Sequence, residues 1–134
     1  MTRMAVFVSG SGSTLQAILD AFAGPTGAEG LQIAVVVSNT PTAFALERAR
    51  RAGIPTVVAD SRGRPREAFE ADLAASVDAH GANLICLAGF LRILSPGFVR
   101  RYAGRILNTH PALLPAFGGK GMYGERVHLS LIHI

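Results

Sequence analysis

The 134-residue chain holds a single cysteine, a single lysine and no tryptophan. Cys86 sits inside an apolar run, so neither a disulfide framework nor a Cys-based zinc site can be built. A reducing, cytoplasmic setting is therefore the default expectation. No apolar stretch approaches the ~18 residues that a membrane-spanning helix needs; the longest, Leu84 to Leu91, is interrupted by Gly89. The start of the chain has Arg3, a short apolar run from Met4 to Val8 and then Ser9-Gly10-Ser11-Gly12. That run is too short for a signal-peptide core, and no cleavage pattern follows it.

Apolar residues are plentiful. They make up 49% of the chain, with a mean hydropathy of +0.34, which excludes long-range disorder and suits one globular domain. The formal charge is +4, and twelve of the thirteen basic residues are arginine, Lys120 being the exception. Three clusters stand out: Arg48/Arg50/Arg51, Arg62/Arg64/Arg66 and Arg100/Arg101/Arg105. They fall in separate elements and aromatics are only 7%, a poor match to a nucleic-acid surface. Solvated helix ends and loops account for them, and small anionic ligands fit better than a polynucleotide.

Short β-rich runs alternate with helical periodicities. Ala5 to Val8 reads as a buried strand, and Leu15, Ile18, Leu19 and Phe22 recur at helical spacing until Gly24-Pro25. Ile33 to Val37 predicts a second strand, Ala43 to Ala52 a helix, and Thr56 to Val58 a short strand. Phe69, Leu73, Ala74 and Val77 mark a helix entered near Pro65; Leu84 to Ala88 and Arg105 to Asn108 predict two more strands, with a short helix over Pro96 to Tyr102 between them. Continuous apolar strands separated by helices imply a doubly wound α/β fold, a mainly parallel Rossmann-like sheet with helices on both faces. Right-handed crossovers then gather the strand C-termini, and a ligand crevice, on one edge.

Ser9-Gly10-Ser11-Gly12-Ser13-Thr14 lies at the first strand-to-helix junction. It is not a Walker loop, since no lysine follows at the required spacing, and Leu15 takes the place of the third glycine of a dinucleotide fingerprint. Two readings remain open: an anion site for a terminal phosphate at a helix N-terminus, or a tight turn with Ser13 or Thr14 as a cap. Asn108 and His110 follow the fifth strand two residues apart, so in extended chain they face one space. An Asn amide can donate to a developing oxyanion and a His can move a proton near neutral pH, while a polar strand end is the plainer alternative. Gly89 to Leu94 leaves the fourth strand at the same edge, where its backbone and apolar side chains can hold a flat heterocycle.

In this order, Ser9-Gly-Ser-Gly-Ser-Thr-Leu-Gln-Ala-Ile18, Ser38-Asn39, Ala43-x-x-Leu-Glu-Arg-Ala49, Ala88-Gly-Phe-Leu-Arg-Ile-Leu-Ser-Pro96 and Leu107-Asn-Thr-His-Pro-Ala-Leu-Leu-Pro115 resemble the phosphoribosylglycinamide formyltransferase (GAR transformylase) family. The resemblance runs from residue 4 to about 128. It implies metal-free transfer of a formyl group from 10-formyltetrahydrofolate, as co-substrate, to the amine of glycinamide ribonucleotide in purine biosynthesis. By resemblance Gly12, Ser13, Thr14, Leu15 and Gln16 bind the ribonucleotide and its phosphate. Arg66, Leu91, Arg92, Ile93, Leu94 and Asn108 contact the folate, and Asn108 and His110 occupy two of three catalytic positions. The implied partners are small molecules, with no nucleic acid and no membrane. Phe117 to Gly124 replaces the family's Pro-Gly-Leu-type loop, and Val127-His128 would begin the next helix.

The third catalytic residue of the family is an Asp beyond the His110 segment, and the only acid after His110 is Glu125, which does not match it. The expectation is a formyltransferase domain over 1–128, incomplete at its C-terminus, whose chain is severely impaired or inactive as it stands. Residues 129–134, Leu-Ser-Leu-Ile-His-Ile, do not resemble the family's next helix and read like a frame of a sequencing adaptor, hence a non-native tail; a genuine apolar edge strand or helix end is the alternative. A sheet cut after its fifth strand would also expose apolar surface and favour aggregation. A formyltetrahydrofolate hydrolase and an inert ligand-binding fragment are the competing functions. His110, His128 and His133 have no acid or cysteine at ligand spacing, so no metal site is expected.

Overall fold

The structure, a computed structural model, describes residues 2–23, 30–109 and 130–131. Along the chain the elements are β1 (Thr2–Val8), α1 (Ser13–Ala23), β2 (Leu31–Ser38), α2 (Phe44–Arg51), β3 (Thr56–Val58), α3 (Arg66–Ala79), β4 (Leu84–Leu87), α4 (Pro96–Arg101), β5 (Ile106–Asn108) and β6 (Ser130–Leu131). The first five strands are parallel, and the sheet order is β3-β2-β1-β4-β5-β6. The expected doubly wound fold is thus present.

Side-chain alternation explains why the strands read as continuous apolar runs. On one face Ala5, Phe7, Val35, Val37, Ile85, Leu87 and Ile106 pack with Phe69, Leu73 and Val77 of α3 and Phe98 and Val99 of α4. On the other, Met4, Val6, Val8, Val36 and Cys86 pack with Leu15 and Leu19 of α1 and Ala45 and Ala49 of α2. Both faces are covered, so both parities of each strand must be apolar. Between Met4↔Ile33 and Ala5↔Val35 the register slips by one residue, leaving Ala34 as the bulge. The slip keeps like-facing residues of β1 and β2 on the same side along both strands.

From β1 the chain winds outward through β2 to β3, then returns to lay β4 on the other side of β1. The reversal puts a switch point between the C-terminal ends of β1 and β4, where an open α/β sheet forms its ligand crevice. β6 pairs antiparallel with β5, Asn108 opposite Ser130 and Leu107 opposite Leu131. An uncovered parallel edge offers unpaired backbone groups to such a segment.

Candidate active site at the carboxyl edge of the sheet

The loop leaving β1 is built against α2. Gly12 has φ +82°, and a Cβ there would lie 2.7 Å from both Cα and Cβ of Ala45, so only glycine fits. Its carbonyl accepts from the Gln16 N–H at 2.8 Å, which makes Gly12 the N-cap of α1. Ser13 and Thr14 therefore lie within the first helical turn rather than acting as caps, and that turn directs backbone N–H groups toward the crevice. Leu15 is fully buried in the core, so its side chain is structural and only its backbone can serve a ligand. The Gln16 amide is held at both ends: Oε1 accepts from Arg48 Nη1 at 3.3 Å and Nε2 donates to Asp20 at 2.9 Å.

The loop leaving β4 is anchored by one aromatic and opened by its neighbours. After Gly89 (φ +74°), Phe90 turns into the core, 5.4 Å from the Phe7 ring centroid and stacked with Phe69 at 6.4 Å. With Phe90 held inside, Leu91 and Ile93 are 70% and 80% exposed. Two large apolar side chains presented to solvent beside a switch point suit a flat, partly apolar ligand. Ser95 ends the segment: its hydroxyl caps α4 by accepting from Phe98 N–H at 3.2 Å, and Pro96 occupies the first helical turn.

Arg66 is the first residue of α3 and is exposed. One turn on, Glu70 accepts from the Ser95 N–H at 2.7 Å and from the Ser95 hydroxyl at 2.5 Å, tying α3 to the end of the Leu91–Leu94 segment. Arg92 lies over the Phe69 ring at 5.7 Å. Arg66 and Leu91 to Leu94 are thus carried by elements clamped to one another. Asp60, in the loop before α3, takes three hydrogen bonds from Arg62, and these hold its carboxyl down at about 2.

Asn108 ends β5 beside Leu87 of β4, and is 8% exposed. Thr109 follows it and fastens this corner, both its N–H and its hydroxyl donating to the Leu87 carbonyl at 3.1 and 2.9 Å. His110, Phe117 to Gly124 and Val127-His128 lie outside the described residues.

Sequence patterns missed a polar seam joining these loops. Ser9 Oγ accepts from the Leu91 N–H at 2.8 Å and donates to Asn39 Oδ1 at 2.6 Å, while Asn39 Nδ2 donates to Ser61 Oγ at 3.3 Å. It crosses from the β4 loop over β1 and β2 to the segment after β3. Ser9 and Asn39 each directly follow an apolar strand, which was the available signal. Among the described residues no three His, Cys, Asp or Glu side chains are grouped to hold a metal, and no helix is long and apolar enough to cross a membrane.

A Rossmann-like sheet with a glycine loop, an apolar loop and an Asn strand end around one switch point defines a class of small-molecule-binding α/β proteins. Within that class, residues 2–128 match the formyl transferase family, and the chain belongs to it. It is 47% identical over 138 residues to phosphoribosylglycinamide formyltransferase of Escherichia coli (strain K12), spanning 98% of this chain and 64% of that protein. It is 43% identical over 118 residues to the trifunctional purine biosynthetic protein adenosine-3 of Drosophila melanogaster, spanning 87% of this chain and 9% of that one. Among solved structures, glycinamide ribonucleotide transformylase 1 from Symbiobacterium toebii superposes with a TM-score of 0.75 at 44% identity, covering 91% of this chain and 57% of that one. The chain thus spans less than two thirds of each of these relatives.

Proposed function

We propose that the protein transfers a formyl group from 10-formyltetrahydrofolate to the primary amine of glycinamide ribonucleotide. The observation that carries this reading is the joining of two unlike loops at one switch point: the β1 loop with its helix N-terminus, and the β4 loop with its exposed leucine and isoleucine. The first suits the ribonucleotide phosphate. The second suits a pterin, whose faces take apolar contacts while its amide edge takes backbone hydrogen bonds. Gly12, Ser13, Thr14 and the backbone of Leu15 would receive the phosphate, with Gln16 alongside. Leu91 to Leu94, Arg66 and Arg92 would receive the folate.

The amine nitrogen attacks the formyl carbon, forming a C–N bond and a tetrahedral oxyanion. Asn108, fixed at the end of β5 by the Thr109–Leu87 bonds, donates its amide N–H to that oxyanion. His110 moves the proton that the amine loses toward the folate nitrogen, and the C–N bond to that nitrogen breaks as it gains a proton. No metal or redox partner enters the balance. On the same reading 1–128 form part of the formyltransferase domain, and 129–134 do not belong to it.

The test is formyl transfer by the protein carrying this sequence, followed with labelled formyl folate. Formyl-ribonucleotide formed only when the ribonucleotide is supplied supports the reading; formate released equally well without it identifies a hydrolase and refutes the transfer.

A further inference from the structure

We infer that Arg48 of α2 is the positioning residue of the ribonucleotide's phosphate loop, and supplies that loop's positive charge; this rests on the reading of the β1 loop given above. Its Nε donates to the Ser11 carbonyl at 2.7 Å and its Nη1 to Gln16 Oε1 at 3.3 Å. One guanidinium thus bridges from the loop before α1 to the end of its first turn, the span whose N–H groups would grip an anion. Its Cδ lies 3.0 Å from where a Cβ on Gly12 would stand, and its plane sits over the Phe44 ring at 5.1 Å. The fork is therefore held from both sides and cannot swing away without freeing the loop.

The pairing of Arg48 also differs from that of Arg50 and Arg51 on the same helix. Glu47 pairs with Arg50 and Arg51 at 3.8 and 3.1 Å, and Arg62, Arg64 and Arg101 each have their own aspartate. The hydrogen-bond acceptors of Arg48 are a carbonyl and an amide, both neutral, and the nearest acid in its network, Asp20, stands on the far side of Gln16. Among the described residues no carboxylate pairs with it. A guanidinium bonded only to neutral acceptors keeps its full attraction for a phosphate at the adjoining helix N-terminus.

The experiment measures binding of glycinamide ribonucleotide and of a formyl-folate analogue to wild type, R48Q, R48K and the neighbouring R51Q, with inorganic phosphate as competitor and thermal melting alongside. The expectation for R48Q is about tenfold weaker ribonucleotide binding and weaker competition by phosphate, with folate affinity unchanged. R48K keeps the charge but not the fork and should fall between R48Q and wild type, while R51Q should match wild type. In turnover the same change should appear in the ribonucleotide KM and spare kcat. Ribonucleotide binding by R48Q equal to wild type would overturn the inference, as would equal loss for both ligands tracking a fall in melting temperature. A wild-type protein that binds folate but no ribonucleotide would overturn the reading of the loop itself.

Discussion

Ser9 and Leu91 stand 82 residues apart, and a 2.8 Å hydrogen bond from the Leu91 N–H to the Ser9 hydroxyl joins the loops of β1 and β4 at the switch point of the sheet. The Ser9 hydroxyl donates in turn to Asn39 Oδ1, so both its donor and its acceptor capacity are used. The loop proposed for phosphate and the loop proposed for folate are thereby held at a set separation, which a reaction between two bound substrates requires. Replacing Ser9 by Ala would leave the Leu91 N–H and Asn39 Oδ1 without these partners. We predict a loss of ~0.5–1.5 kcal/mol in urea unfolding and weakened folate binding, since the Leu91 segment loses its tether. An unchanged folate affinity would show that the tether is not needed.

At Gly12, an alanine meets both a positive φ and the α2 backbone at 2.7 Å. The left-handed strain alone costs ~1–3 kcal/mol, and displacement of α2 adds to it. G12A should melt at lower temperature and lose ribonucleotide binding. Gly10 has nothing within 4 Å of its would-be Cβ, so G10A should be much milder. Comparing the two melts separates steric exclusion from a general need for glycine in this loop.

Burial pushes the Cys86 thiol up to about 12. Its unfolded value is near 9, so the folded state resists ionisation. The thiol therefore favours folding fully below pH 9, and this contribution is lost as pH rises from 9 toward 12. Native protein should not react with a thiol-directed disulfide reagent at pH 8, whereas denatured protein should react at once. Rapid labelling of the native state would contradict the burial of Cys86 on β4 beneath the helices of that face.

Ser95 caps α4 and also satisfies Glu70. S95A should cost ~1 kcal/mol as a lost cap, and more if the Glu70 carboxylate finds no substitute. The Leu91–Leu94 segment leads into that cap, so folate affinity should fall while ribonucleotide affinity holds. Equal loss of both in ligand titrations would mean that the β4 loop is not a separate folate platform.

The strands and helices were legible because each buries a face with a clear period: Phe69, Leu73 and Val77 on α3, or the unbroken Val35-Val36-Val37 of β2. Strand order was not, because β1 and β4 are brought together by tertiary packing between segments about 80 residues apart. Separation along the chain likewise hides Ser9–Leu91, 82 residues apart, and Glu70–Ser95, 25 apart. Individual loops announced themselves through glycine and polar residues at strand ends, but a lone Ser or Arg carries no mark of its partner. Arg48 looked like one of three solvated charges on a helix; the approach of α2 to Gly12, and the pairing of Glu47 with Arg50 and Arg51 alone, set it apart.

Asn108 and His110 carry the proposed chemistry, so the most direct measurement is single-turnover formyl transfer by the protein carrying this sequence and by its N108A and H110A variants, with ribonucleotide and folate both saturating. We predict ribonucleotide-dependent transfer by the unsubstituted protein and losses of ~100-fold or more in the rate for each variant, with substrate binding retained. Transfer at the wild-type rate by N108A would contradict this prediction.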